Sequence, residues 1–166
     1  MTDHADNHPD AQDQHFLTLA AALSRQGMEA GDGGPFGSVV VLDGQVVGQG
    51  WNRVTSTNDP TAHAEVVAIR DACQRLSRFD LRGATLYASC EPCPMCLASA
   101  LWARVDRIVY GNTRDQAAAI GFDDALIYEQ VPLPPDARII PCQHRPSKAA
   151  LSVFNDWIVK ADRVPY

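Results

Sequence analysis

Two short stretches limit how this chain can fold: His63-Ala64-Glu65 and, beyond residues 66–91, Pro92-Cys93-Pro94-Met95-Cys96. Both sit at predicted helix starts. The first helix is expected to begin near Asp59-Pro60-Thr61, where Asp59 or Thr61 can cap and Pro60 suits a first turn. Its apolar residues Ala62, Val66, Ile69, Cys73 and Leu76 alternate steps of four and three, the pattern of a face packed on a sheet. Thr85-Leu86-Tyr87-Ala88 then reads as a buried strand, Pro94 opens a second helix carrying Leu97, Ala100 and Leu101, and Arg107-Ile108-Val109-Tyr110 reads as the next strand. A strand, a helix and a second strand in this order predict a right-handed parallel crossover. His63 and Glu65 then lie in the first turn of one helix, Cys93 and Cys96 at the start of another, and the two helix N-termini converge.

One imidazole and two thiolates make a three-ligand set, which in zinc sites leaves a fourth position open, whereas structural zinc takes four protein ligands. The two thiolates cancel the charge of the ion, and zinc still acidifies water towards neutral pH. The helix dipoles favour the thiolate form of Cys93 and Cys96. Glu65, two residues from His63, is placed as general acid/base. One zinc per chain is therefore expected, held by His63, Cys93 and Cys96. The competing reading adds Cys90 to make an iron–sulfur-like triple, but such clusters commonly want a fourth thiolate. Cys73 lies on an apolar helix face and Cys142 follows a proline, so Cys90 is expected instead to end a strand as a small buried residue.

The remaining sequence frames this core. Residues 1–12 lack apolar periodicity and are expected to form a flexible tail that includes His4 and His8, leaving 13–166 as one domain. Phe16, Leu19, Ala20 and Leu23 mark a helix that ends in the Gly31–Gly34 stretch, and Asp43-Gly44 between Val39–Leu42 and Gln45–Val47 signals a hairpin. A loop and short helix are expected to contain Gly121–Asp124, followed by a strand at Arg138-Ile139-Ile140 and a last helix with Leu151, Phe154 and Ile158 on one side. These elements predict an α/β fold with three layers, α/β/α, around a five-stranded mixed sheet. Five cysteines give no even disulfide framework, and nothing resembles a signal peptide or a membrane span, so a reducing cytoplasmic setting is expected. A net charge of −6 argues against general affinity for nucleic acid.

The His-x-Glu and Pro-Cys-x-x-Cys spacing is the established signature of zinc-dependent nucleobase deaminases. From about Phe16 to Tyr166 the chain resembles the cytidine deaminase-like superfamily and, within it, the bacterial guanine deaminases. Gly34-Pro35-Phe36-Gly37, Thr55 through Glu65, Ser89 through Cys96, Gly121-Phe122-Asp123-Asp124 and the C-terminal Tyr carry that likeness. The resemblance implies hydrolysis of guanine to xanthine and ammonia. It implies that Phe36 stacks on the base, that Asn52 and the backbone of Ala64 hydrogen-bond it, and that Trp102 and Tyr166 enclose it. It also implies Asp124 as a second carboxylate facing the departing amino group. Without the resemblance, Phe36 and Trp102 would be core aromatics, Asn52 and Asp124 turn residues, and Tyr166 a frayed end. A homodimer at least is expected, with the Tyr166 end near an active site, either its own or, by exchange beyond Pro132–Pro135, that of a partner subunit. The open alternatives are a deaminase of cytosine, guanosine or an aminotriazine, a tRNA adenosine deaminase, and a non-catalytic metal or nucleotide-binding module.

Overall fold

The computed structural model of the chain describes residues 9–166. Of the expected tail, residues 1–8, with His4 and His8, lie outside the described residues, while 9–12 form the first turn of helix α1 (Pro9–Glu29). Proline suits a first turn, and Asp10 complements the helix dipole there. The helix starts ahead of its apolar stripe because a tertiary contact holds it: Asp13 accepts from the Tyr87 hydroxyl at 2.8 Å and from both terminal nitrogens of Arg107.

The described residues fall into two compact units that divide between Asp124 and Ala125. The first contains the sheet, β1 (Gly37–Leu42), β2 (Gln45–Trp51), β3 (Thr85–Cys90) and β4 (Arg107–Asn112), in the order β2-β1-β3-β4. Pairing is antiparallel for β1/β2 and β1/β3 and parallel for β3/β4. The hairpin turn has positive φ at both Asp43 and Gly44, as a two-residue type I′ loop requires. Side chains alternate across the sheet. Val39, Val41 and Tyr87 pack with Phe16 of α1 on one face, and Val40 and Leu86 pack on the other. That second face receives α3 (Ala64–Leu76) and α4 (Pro94–Ala103) through Ala68, Ile69, Ala72, Ala100 and Ala103, which gives three layers.

Close approach of α3 depends on two glycines in β2. A Cβ at Gly48 would lie 2.5 Å from the Ala68 carbonyl oxygen, and one at Gly50 would lie 2.6 Å from the Ala68 nitrogen. The start of α3 corrects the sequence expectation. The Asp59–Thr61 segment is a side-chain-stabilised turn, in which Asp59 Oδ1 accepts from the Thr61 N–H and hydroxyl, and the helix begins only at Ala64. A four-residue helix, α2 (Val54–Thr57), precedes that turn.

After β4 come α5 (Arg114–Ala119) and then the Gly121–Asp124 segment, which is loop throughout, the helical residues of the expected loop and short helix lying on either side of it in sequence. The second unit holds α6 (Ala125–Gln130), a 3-10 turn at Pro135–Ala137 and α7 (Lys148–Val159). Ser147 caps α7 by accepting from the Ala150 N–H. The expected strand at Arg138-Ile139-Ile140 is not formed, so the sheet has four strands among the described residues instead of five. Local bonds take up that backbone: the Ile139 N–H donates to Gln130 Oε1 at 2.6 Å, and Arg138 holds the Leu133 and Val131 carbonyls. No helix among the described residues is long and apolar enough to cross a membrane.

Candidate active site

His63 and Cys93 occupy the same position in two helices: each is the N-cap, with extended backbone, and neither side chain caps. Both point their donor atoms at one spot. His63 Nδ1 lies 3.6 Å from Cys93 Sγ and 3.5 Å from Cys96 Sγ, and the sulfurs are 3.6 Å apart. A tetrahedral zinc ion with bonds of about 2.0 Å to nitrogen and 2.3 Å to sulfur needs donor separations of roughly 3.5–3.8 Å. The triangle fits that geometry closely. Among the described residues it is the only cluster of three or more His, Cys, Asp or Glu with ligand atoms this close.

Cys90 stands outside it. Its sulfur lies 3.6 Å from the Thr113 carbonyl, it is 6 % exposed, and burial raises its thiol to about 11, the state of a packed neutral side chain. Its neighbour Glu91 ties the following segment down, accepting from the Arg114 N–H at 3.0 Å.

The charges are set by the sulfur pair and its neighbours. The hydrogen bond between the two sulfurs pulls Cys93 down to about 4, and the same contact, with burial, pushes the deeper Cys96 up. Contact with Cys93 raises His63. The cluster thus holds protons that a bound cation displaces, because a coordinating thiol is deprotonated outright. Glu65, in the first turn of α3, is 7 % exposed and lies 3.4 Å from Cys96 Sγ. Burial raises its carboxyl above the usual range, which suits a group that must both accept and return a proton.

The other expected residues occupy distinct places. Asn52 is buried, and its Oδ1 accepts from the backbone N–H groups of Gly34 at 3.3 Å and Val54 at 3.2 Å. Those bonds fix the amide so that its nitrogen remains a donor. Phe36 follows on the loop that Asn52 holds, with its carbonyl accepting from the Asn52 N–H at 3.0 Å. Ala64 is buried, and its N–H belongs to the first-turn donors that an α-helix leaves without internal partners. Asp124 is partly buried, and burial followed by the Cys93 thiolate raises its carboxyl. Trp102, near the end of α4, is 67 % exposed, so it is not the core aromatic that its apolar surroundings suggest. Tyr166 lies in the second unit and is exposed.

Sequence reasoning missed Phe122. Its ring meets Phe36 edge to face, with centroids 4.9 Å apart and planes at 88°. Its traces in the sequence are its place in the Gly121–Asp124 stretch and Gly34, whose missing Cβ makes room for both rings.

Comparison with known proteins agrees with this geometry. Over 151 residues the chain is 46 % identical to the guanine deaminase of Bacillus subtilis, covering 91 % of this chain and 97 % of that one. The crystal structure of guanine deaminase from the same organism superposes with a TM-score of 0.89 at 45 % identity, covering 92 % of this chain and 98 % of that one. The tRNA-specific adenosine deaminase of Agrobacterium fabrum is 43 % identical over 110 residues, 66 % of this chain and 72 % of that one. Residues 10–112, which include the donor triangle and Glu65, match the cytidine and deoxycytidylate deaminase zinc-binding region, and the chain belongs to that family.

Proposed function

We propose that this protein is a zinc-dependent guanine deaminase, converting guanine and water to xanthine and ammonia. The observation that carries the reading is the 46 % identity to a guanine deaminase along nearly the whole of both chains. The likeness to the tRNA-specific enzyme covers a shorter part of this chain.

A zinc ion on His63, Cys93 and Cys96 would supply a Lewis acid and hydroxide from water near neutral pH. Glu65 accepts the proton of the attacking water and delivers it to the ring nitrogen beside C2. As the C2–N bond breaks, the hydroxyl newly bonded to C2 gives up its proton and becomes a carbonyl, and that proton reaches the amino nitrogen through Glu65 alone or shared with Asp124. Two carboxyls in different surroundings can hold different protonation states at one pH, so a division of labour between them is chemically reasonable. Guanine presents O6 and N7 as acceptors. The amide nitrogen of Asn52 is a donor of matching sense, and the Ala64 N–H offers another. Phe36 stacks on the base, and Trp102 and Tyr166 enclose it.

The assembly reading is a homodimer in which the C-terminal unit reaches the partner. The exposed Leu151, Phe154 and Ile158 of α7 support it, since an apolar helix face seeks cover. A cytoplasmic setting suits thiol ligands, and all five cysteines are free.

Ammonia release from guanine, cytosine, guanosine and an aminotriazine, measured beside zinc content, tests the function. Guanine should be turned over fastest, and Glu65→Gln should keep zinc while losing at least about a hundredfold in kcat. Preference for another base, or an active Glu65→Gln enzyme, overturns the reading.

A further inference from the structure

Phe122 has no role in the chemistry above, yet it lies where three parts of the candidate site meet. Its backbone is fixed by the end of α5. The Phe122 N–H donates to the Ala117 carbonyl at 3.0 Å and the Gly121 N–H to the Ala118 carbonyl at 3.0 Å, while Gly121 takes φ +96°. This pair of bonds around a left-handed glycine is a Schellman motif, which sets the direction in which the next side chain leaves. The ring of Phe122 crosses to the loop before β1 and meets Phe36 edge to face.

Gly34 is the seat of that contact. A Cβ there would lie 2.7 Å from Phe122 Cζ and 3.1 Å from Phe36 Cε2, so both rings rest against a residue that must have no side chain. The Gly34 N–H is in turn held by Asn52 Oδ1. Asp124 follows Phe122 by two residues. One aromatic side chain therefore joins the loop of the second carboxylate to the stacking ring and to the amide that reads the base.

We propose that Phe122 is a positioning residue that holds Phe36 and the Asp124 loop as one unit, so that base stacking and the second carboxylate are set together. This rests on the roles given to Phe36, Asn52 and Asp124 under the proposed function. The ring remains 45 % exposed, which is more than a side chain kept only for burial requires. Displacing a catalytic group by about 1 Å commonly costs about a hundredfold in rate. Loosening the loop while leaving zinc and Glu65 in place should cost between about tenfold and a hundredfold.

The test is a double-mutant cycle on guanine turnover with Phe122→Ala, Phe122→Leu, Asp124→Asn and the Phe122→Ala/Asp124→Asn pair, with zinc per chain measured for each. Hydrogen exchange over residues 120–124 gives a readout that needs no substrate. Phe122→Ala should keep its zinc, lower kcat, raise KM and speed exchange in the loop, and Phe122→Leu should recover part of the loss, since it keeps an apolar side chain and adds no atom beyond Cζ, the ring tip seated on Gly34. In the double variant kcat should fall little below that of Asp124→Asn alone, because the loop then has nothing left to place, while KM should still rise through Phe36. Multiplicative losses in kcat, or unchanged exchange in Phe122→Ala, overturn the proposal. If the wild-type chain releases no ammonia from guanine, the substrate reading fails separately. The cycle then runs on the base that the panel identifies, and the exchange rates still decide on Phe122.

Discussion

Gly50→Ala tests whether the depth of α3 against the sheet sets the catalytic geometry. The added Cβ would lie 2.6 Å from the Ala68 nitrogen, 2.7 Å from the Ala64 oxygen and 2.8 Å from Val67 Cβ, where ordinary contact begins at 3.4 Å. Relief at the closest atom alone requires a shift of 3.4 − 2.6 = 0.8 Å. Two of the three neighbours are helix backbone, so no rotamer change absorbs the strain and the helix itself must move. Overpacking of this kind costs about 1–3 kcal/mol, partly offset by about 0.4–1 kcal/mol from the reduced freedom of the unfolded chain. A net loss of about 1–2 kcal/mol should lower Tm by roughly 2–8 °C in a chain of this size. The same shift carries His63 and Glu65 away from Cys93 and Cys96, which ride on α4, and should cost up to about a hundredfold in kcat. Gly48→Ala is the control. Its Cβ meets Ala68 and Ala72 at 2.5–2.6 Å, an equal clash farther from the first turn, so it should destabilise equally with a smaller loss of kcat. Calorimetry, zinc content and guanine turnover on both variants decide the matter. A fully active and stable Gly50→Ala protein, or equal activity loss in both, would refute the reasoning.

Asn52→Asp keeps an oxygen for the Gly34 and Val54 N–H groups but replaces the amide donor, so KM for guanine should rise about tenfold or more, with some loss of Tm because the new carboxylate is buried; an unaltered KM removes Asn52 from base recognition. Zinc competes with protons for His63 and Cys96, both raised, while Cys93 at about 4 is already thiolate; zinc affinity measured with a competing chelator should therefore fall with acid from above pH 6.5, the ordinary His value. Tyr87 is raised from 10.0 to about 12, first by burial and then by its bond to Asp13. The unfolded chain ionises that phenol first, so stability should be full below pH 10 and fall between pH 10 and 12, and Tyr87→Phe should flatten this limb in urea titrations at a cost of about 1 kcal/mol at neutral pH.

The donor triangle was legible because zinc dictates residue types and because His63 and Pro92–Cys96 declare themselves as helix starts. Strand identities were legible for a similar reason, since Val39–Val41 and Thr85–Ala88 are β-branched or apolar runs bounded by turns. The misses all involve a specific partner, near or far along the chain, that no periodicity encodes. Asp59 spends its carboxylate on the Thr61 turn instead of on the helix N-terminus, which delays α3 to Ala64. Gln130 takes the Ile139 N–H and so removes a strand that the Arg138-Ile139-Ile140 run suggests. Asp13 holds a helix where composition reads as tail, because its partners Tyr87 and Arg107 lie far along the chain. Phe122 entered only as a member of the Gly121–Asp124 stretch and without a role, because its partners, Gly34 and Phe36, come from far earlier in the chain.

The placement of His63 and Cys93 at N-caps links the chemistry to the fold. An N-cap residue leaves the helix with extended backbone, so its side chain projects beyond the first turn, where the dipole is positive. A Ser, Thr, Asp or Asn there would contribute about 1 kcal/mol of capping, which these two residues forgo. Both helices therefore begin with amide donors beside a cluster that carries thiolate charge, among them the Cys96 N–H, which bonds to Cys93, and each stabilises the other. Metal removal should accordingly loosen the first turns of α3 and α4 before it disturbs the alanine contacts that dock them on β1 and β3. Hydrogen exchange after chelation should show early loss of protection at Val67 and Leu97, whose N–H groups donate to the His63 and Cys93 carbonyls, with Ala72 and Ala103 retained. Uniform loss along both helices would mean that the ion holds the layer as a whole and that the alanine packing cannot stand without it.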